Sequence, residues 1–595
     1  MSINKYSTYQ KLLSAALALC LILLLFGCQE KRGSQPTSLP ATEVERLSKL
    51  CRVWGYVKYT HPAFLLGERD WDEELLALIP QVRELETHEE VNALLHEWFT
   101  GLGEIDYGNC EPVAFWAEAA EEDKVVIADT SWTTDAGYLG EELAGDLGKL
   151  GEVPHIKVST APVQYITANL LSEVTGPIFR ENDLKDMDHS DVRFRLLGLF
   201  RLWNAVEYYF PYHNLLEKDW VSTLDEFIPR MLAGGEGLPD GFTPGMLALM
   251  GGEDLQSYAA AITALLVRMN DFHVGFGILG TTYAPVPVME AEGKLVVSGT
   301  AEGCPLLPGD VILEVNGRDV YAFAETLKEY LPYSRDEVYL SRNRVHILSL
   351  AGDGKAQLEV SVLREGREET FPCTWVSAEE APSVTYAQPQ EVYEILEGNI
   401  GLVNPALLST ANQYGVMEEL RDTDGLVIDL RQYPNLFPKT FPAYFVPEST
   451  PAFIHLKPSQ AVPGVYIKTV SNVGCLPEDR ERGVYYYDKP AVVLVDEFSQ
   501  SGSEWMAWAV GKGEHVVLMG GNTSGALDGI TNLSIPGYFA YQFTAIGAYT
   551  DDGGQIQRTG LTPDIPVSRT IQGIREGRDE LMEAAVEYIQ NQSIK

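Results

Sequence analysis

Ala491-Val492-Val493-Leu494-Val495 is apolar at every position. It runs into a small polar turn, Asp496 to Glu504, and then into Trp505-Met506-Ala507-Trp508-Ala509-Val510. The first segment reads as a buried strand and the last as a helix. Apolar strands alternate with helix-like stretches from Gly398 onward, as in Ile400-Gly401-Leu402-Val403, Gly425 to Leu430 and Val516-Val517-Leu518-Met519. That alternation is the pattern of an α/β core with a mixed sheet. The turn after Val495 is rich in Ser and Gly. A serine placed there, as Ser501 is, presents its hydroxyl beside free backbone N–H groups that can stabilise a developing oxyanion. A polar helix cap is the plainer use of the same residues.

The chain has 595 residues, 45% hydrophobic and 22% charged, which is material for several cores. Its formal net charge of −41 argues against nucleic acid and anionic membrane surfaces as partners, since both would repel it. Beyond Cys28 the cysteines are Cys51, Cys110, Cys304, Cys373 and Cys475, an odd and widely spaced set. They show neither a zinc pattern nor a disulfide framework. The ten histidines show no metal-ligand spacing. His88 and His96 lie on an amphipathic segment, where solvated or capping roles are expected. No metal or cofactor is expected.

The N-terminus reads as a targeting segment. Lys5 and Lys11 precede an apolar run from Leu12 to Phe26, too short for a comfortable membrane span. The run ends Leu25-Phe26-Gly27-Cys28, which resembles a bacterial lipoprotein signal with Cys28 as the lipidated residue. Phe26 is bulkier than is usual at its position, and an ordinary signal peptide is the alternative. Gln29 after the cysteine resembles outer-membrane rather than inner-membrane sorting. Residues 29–42 read as a flexible tether.

Two segments match without a gap at a constant offset. Arg46-Leu47, Trp54, Tyr59, Pro62, Asp70-Trp71 and Ile79-Pro80 align with Arg195-Leu196, Trp203, Tyr208, Pro211, Asp219-Trp220 and Ile228-Pro229. Both show helical periodicity, a Pro-containing turn and a second helix opening at Asp-Trp. Two copies are a duplication rather than a solenoid, and the shared aromatics are expected to face a core. Only the second copy exits through Asn270-Asp271-Phe272-His273. Further on, Leu306 to Gly317 and alternating segments such as Leu358 to Leu363 read as a β-rich module.

Together these pieces resemble the C-terminal processing peptidases, or tail-specific proteases, over most of the chain after about residue 190. Leu307-Pro308-Gly309-Asp310 through Asn316-Gly317 resembles their PDZ domain, and Asp429-Leu430-Arg431 their Asp-Leu-Arg strand end. Ser499-Gln500-Ser501-Gly502-Ser503-Glu504 resembles their nucleophile turn, in which the middle serine attacks. Gly560-Leu561-Thr562-Pro563-Asp564-Ile565-Pro566-Val567 resembles their closing Gly-x-x-Pro-Asp segment.

The departures bear on mechanism. Many members pair the serine with a lysine that ends a Thr-x-Gly-Lys motif, and here the matching stretch is Thr523-Ser524-Gly525-Ala526. Lys512 falls in a Gly-Lys-Gly turn suited to a helix C-terminus. A serine still needs a base, and histidine titrates in the right range. The resemblance to the tricorn-like branch implies His273 as that base; His515 is the fallback, expected only to pack. Asp271 is a candidate to orient the imidazole. The oxyanion hole is expected from the N–H of Gly502 and a donor in the loop after Arg431, where Tyr433 or Asn435 are candidates and Pro434 has no N–H. That loop reads Gln432-Tyr433-Pro434-Asn435 in place of Asn-x-Gly-Gly. The same branch has a supporting glutamate where this chain has Gln555-Ile556-Gln557-Arg558, and the Gln557 amide is the candidate substitute.

The expectation is an α/β peptidase core with a PDZ-like β-rich module and duplicated N-terminal helical segments. Its parts are a lipoprotein signal (1–28), a tether (29–42), copy one with a mixed segment (43–180), copy two with His273 (181–280), the PDZ-like module (281–378) and the core (379–595). The implied protein is a lipid-anchored serine endopeptidase in a bacterial cell envelope, in the outer membrane, acting on peptides or unfolded proteins. The PDZ-like module would hold an extended peptide by strand addition. The alternative is a catalytically silent protein that binds peptides or apolar ligands on the same fold. A carbohydrate enzyme with paired carboxylates has only the 85 acidic residues in its favour.

Overall fold

The computed structural model describes residues 41–105, 118–151, 160–165, 176–182, 184, 187–234, 252–274, 280–382, 386, 389–434, 438–537 and 539–593. Cys28, Cys110 and Asn435 lie outside them. The duplication is visible down to single hydrogen bonds. Helix Glu43–Thr60 opens on a capping box in which Glu45 N–H donates to Thr42 Oγ1 at 3.2 Å and Thr42 N–H to Glu45 Oε2 at 2.7 Å. Its counterpart Val192–Tyr209 opens on Asp191. Trp54 donates its indole N–H to the Trp71 carbonyl at 2.8 Å, and Trp203 does the same to Trp220 at 3.2 Å. Arg46 Nε reaches the Val82 carbonyl and Arg195 Nε that of Met231. Of the aromatics shared by the copies, Trp54, Tyr59, Trp203, Tyr208 and Trp220 are buried and Trp71 is half-buried.

The two copies pack helix on helix with the Asn204 side chain seated directly against Gly55. A Cβ there would stand 1.8 Å from Asn204 Oδ1. Asn204 uses its amide to reach the Cys51 carbonyl at 3.1 Å. Beside this seam, Lys58, Glu181, Arg201 and Asp72 form a buried ionic cluster, with Lys58 Nζ 2.6 Å from Glu181 Oε1 and Arg201 Nε 3.1 Å from Asp72 Oδ1. Each charge there has an opposite partner, without which burial would be prohibitive.

The core sheet has six strands in the order Tyr393–Leu396, Ile400–Val403, Gly425–Asp429, Ala491–Val495, Val516–Gly520 and Ile565–Pro566. The first pair is antiparallel and every later pair parallel, the mixed sheet that the sequence pattern predicts. Ala491–Val495 is buried at all five positions. In such sheets, sites form beyond the carboxyl ends of the strands. A second sheet joins Lys124–Val126, Val465–Val473, Thr450–Pro458 and Gly547–Thr550. The hairpin Ile530–Ile535 with Phe539–Thr544 stands apart.

The β-rich module pairs Val288–Ala291, Lys294–Val297, Val311–Val315, Gln357–Arg364 and Arg367–Thr374, with helices Val320–Leu327 and Asp336–Ala351. It is clamped to the core. Ser334 Oγ donates to the Ser524 carbonyl, and Arg335 donates to the Thr523 carbonyl at 2.7 Å. The four described thiols, Cys51, Cys304, Cys373 and Cys475, are unpaired by disulfides. Among the described residues no helix is long and apolar enough to cross a membrane.

Candidate active site

Ser501 ends the turn after Ala491–Val495 and immediately precedes helix Gly502–Gly511. Its φ is +53°, a value sparsely populated by residues other than glycine and held only where the surroundings over-determine it. Those surroundings are specific. Ser501 N–H lies 2.9 Å from the Ala526 carbonyl and 3.1 Å from Glu504 Oε2. Ser499 Oγ donates to the Leu430 carbonyl at 2.9 Å, tying the turn to the Asp429-Leu430-Arg431 strand end. Gly502 is the first residue of the helix and is buried, so its N–H is one of the donors that a helix start leaves without an intrahelical partner.

Glu504 organises the turn, a role that the motif alone did not reveal. It is fully buried. Its carboxylate accepts from Ser501 N–H, from Thr523 Oγ1 at 2.6 Å, and from the Gly525 and Ala526 N–H groups at 2.8 and 3.1 Å. Burial raises its pKa, against these four donors. The Thr523–Ala526 loop is a cradle for Glu504, built from the Thr523 hydroxyl and the Gly525 and Ala526 N–H groups. Lys512 is bound elsewhere: it pairs with Asp551 and lies 4.6 Å from the Trp508 ring.

His273 follows Asn270, whose φ is +46°, on a turn that delivers the imbalance between the two helical copies. Its Nδ1 lies 2.8 Å from Thr544 Oγ1 and 3.4 Å from Asp271 Oδ1. Its Nε2 is buried and has no hydrogen-bond partner among the described residues. Asp271, 1% exposed, accepts from His273 N–H at 3.0 Å, from Thr544 N–H at 2.7 Å and from Gln557 Nε2 at 3.2 Å. Burial pushes its carboxyl up, but the His273 side chain and these N–H donors outweigh burial and hold it down at about 2. Gln557 thus stands beside Asp271 and braces it. Asp271 holds the histidine turn and faces the imidazole.

The serine and histidine turns meet. Gln500 Nε2 reaches the Phe272 carbonyl at 3.5 Å. Arg342, from the β-rich module, donates to Gln500 Oε1 at 2.5 Å and places its guanidinium 4.1 Å from the centre of the Phe272 ring. So the residues just before Ser501 and just before His273 are joined directly and by a third element. Thr544, Gln500 and Arg342 had no local signal in the sequence, because each acts through contacts far along the chain.

Other candidates fall differently. Tyr433 is 48% exposed, and Pro434 is buried. His515 is exposed, its ring 6.3 Å from that of Tyr486, and sits ahead of strand Val516–Gly520, at the end of the sheet opposite the nucleophile turn. His96 Nε2 lies 3.2 Å from Asp146. A cavity of about 380 Å³ opens where the nucleophile turn begins, lined by Glu290, Asp496, Glu497 and Arg569 among others. Arg569 closes ion pairs there with Asp496 at 2.8 Å and Glu497 at 2.6 Å. Burial and the Glu497 charge push Asp496 up to about 6 despite Arg569. No group of metal-ligating side chains occurs among the described residues.

Residues 459–567, which include the nucleophile turn, match the family model of peptidase family S41. Among solved structures, a mutant of CPAF is similar at 14% identity and a TM-score of 0.50, covering 67% of this chain and 98% of that chain. The photosystem II D1 C-terminal processing protease is similar at 17% identity and a TM-score of 0.34, covering 65% of this chain and 98% of its own. An S41 protease from Bacteroides fragilis gives 13% identity and a TM-score of 0.32, covering 65% and 96%. The first of these likenesses speaks for the fold.

Proposed function

We propose that this chain, whose residues 459–567 match the model of peptidase family S41, is a C-terminal processing peptidase of that family, a serine endopeptidase working by a Ser501–His273 pair. The observation that carries this reading is the histidine turn. His273 is held at Nδ1, backed by Asp271, and keeps a buried Nε2 without a partner where its turn abuts that of Ser501. A base needs that arrangement: one nitrogen held in its tautomer, the other open to a hydroxyl.

In the proposed reaction Ser501 Oγ adds to the scissile carbonyl as its proton passes to His273 Nε2. The Gly502 N–H, at the positive end of helix Gly502–Gly511, faces the oxyanion. His273 returns the proton to the leaving amine, and water then releases the acyl group by the reverse sequence. Asp271 is charged throughout, since it is held at about 2, and it stabilises the imidazolium as it forms. The absent lysine is consistent with this mechanism, because Ala526 contributes only backbone to the cradle.

The proposed substrates are extended or unfolded polypeptides, taken along the PDZ-like module. Cys28 is proposed as the lipidated anchor to a bacterial envelope membrane. The test is peptide turnover by residues 29–595, read by mass spectrometry on a mixed pool of unstructured peptides beside Ser501→Ala and His273→Ala. Cleavage by the wild type that both variants lose is expected. Cleavage that survives Ser501→Ala would overturn the assignment. Peptides that co-purify with an inactive wild type would favour a binding protein on the same fold.

A further inference from the structure

A second serine, histidine and aspartate come together with none of Ser501, His273 or Asp271 among them. His455 lies on strand Thr450–Pro458, Ser471 on the neighbouring strand Val465–Val473, and Asp528 in the turn before strand Ile530–Ile535. His455 Nδ1 hydrogen-bonds Asp528 Oδ2, and His455 Nε2 lies 2.8 Å from Ser471 Oγ. The connectivity is acid to Nδ1 and Nε2 to hydroxyl, the order that lets an imidazole remove a serine proton while a carboxylate steadies the resulting charge. The histidine is 5% exposed and the aspartate side chain 9%, while Ser471 is half-buried.

Three further features distinguish this cluster from an ordinary sheet contact. Asp528 has φ +93°, a strained value for a residue with a side chain, so its position is imposed by the structure around it. The ladder between the two strands breaks between Pro451 and Phe453, directly opposite Ser471 and Asn472, and such bulges re-aim side chains. Thr469 Oγ1 is buried without a hydrogen-bond partner among the described residues. Thr469 pairs across the sheet with His455 and lies two residues from Ser471, on the same face. An orphaned hydroxyl costs stability unless something accepts from it.

We propose that Ser471, His455 and Asp528 form a second nucleophilic site, which takes esters of short apolar acids, with Thr469 as oxyanion donor. The acyl preference follows from the neighbouring aromatics: Phe453, itself fully buried, pairs with Ser471 across the ladder and stacks on the half-buried Trp505 at 5.7 Å. Ser471 Oγ bonds to the ester carbonyl carbon while its proton moves to His455 Nε2. The bond to the alcohol oxygen then breaks, and the alcohol leaves with that proton. Water attacks the acyl-serine, gives a proton to His455, and the acid departs as Ser471 Oγ is reprotonated. None of Ser501, His273 or Asp271 takes part.

The test uses residues 29–595 carrying Ser501→Ala, treated with a fluorophosphonate probe and mapped by mass spectrometry, with p-nitrophenyl acetate turnover alongside. A label on Ser471 is expected, lost when Ser471→Ala is added, and slowed about 100-fold or more by His455→Gln. Where His455→Gln does not fold, Thr469→Val, which removes no hydrogen bond seen here, is expected to slow labelling about tenfold or more. An unlabelled Ser471 in protein that melts as the wild type does overturns the proposal, as does labelling indifferent to these substitutions. Labelling of Ser501 in the wild type is read on a different peptide, so the two sites succeed or fail separately.

Discussion

Replacing Asp271 with Asn keeps the shape of the histidine's support and removes its charge. Three donors converge on the carboxylate: His273 N–H, Thr544 N–H and Gln557 Nε2. An amide in its place can accept from some of them but turns its own N–H groups toward the rest, and one orphaned buried donor costs about 1–3 kcal/mol. The charge contributes separately. The carboxyl is held from 3.8 down to about 2, which at 1.36 kcal/mol per pH unit favours the ionised fold by about 2 kcal/mol. The folded state binds this proton less tightly than the unfolded chain does. The contribution is therefore present above about pH 4 and is lost as pH falls through about 2. Urea unfolding of wild type and Asp271→Asn at a series of pH values measures it: the variant is less stable at pH 7 and loses about 2 kcal/mol less on acidification. In peptide turnover, kcat/KM falls about 100-fold or more, because the imidazolium loses its counter-charge. Equal acid sensitivity of the two proteins, or a kcat/KM within about threefold of wild type, would refute the reasoning.

Glu504→Gln places an amide against four donors. It is expected to cost about 2–4 kcal/mol in chemical denaturation and to abolish labelling of Ser501 by a fluorophosphonate. Arg342→Ala removes the link between Gln500 and Phe272; kcat is expected to drop about tenfold or more with little change in melting temperature, and an unchanged kcat would detach the β-rich module from catalysis. Gly55→Ala drives a methyl group into Asn204 and should lower stability by about 1–3 kcal/mol, measured by thermal unfolding, without altering which peptides are cut.

What could be read from the sequence were the features written in consecutive residues. The buried strand, the Ser501 turn and the following helix are such a run, and the duplication shows because Arg46, Trp54 and Asp70 repeat at one offset. Asp271 and His273 are adjacent but one, so their partnership was open to inspection, and Gln557 was reachable through the resemblance. Thr544 was not, because it supports His273 only once a hairpin folds across the helical exit, and nothing local marks a threonine for that. Glu504 reads as an unremarked helix-start acid until its partners at Thr523 to Ala526 arrive. His515 misled because an apolar strand follows it, whereas the residue itself precedes the buried ladder and faces solvent.

The histidine's support has a bearing on timing. His273 leans on Thr544 and Asp271 leans on Gln557, so the proposed base is assembled from segments 271 and 286 residues apart, the later ones lying beyond Ser501. A nascent chain, or one threaded partway through a translocation channel, carries both Ser501 and His273 before it carries the groups that align them. In the proposed mechanism, proteolytic competence would switch on only once Thr544 and Gln557 have been delivered, which would protect the machinery making the chain from its product.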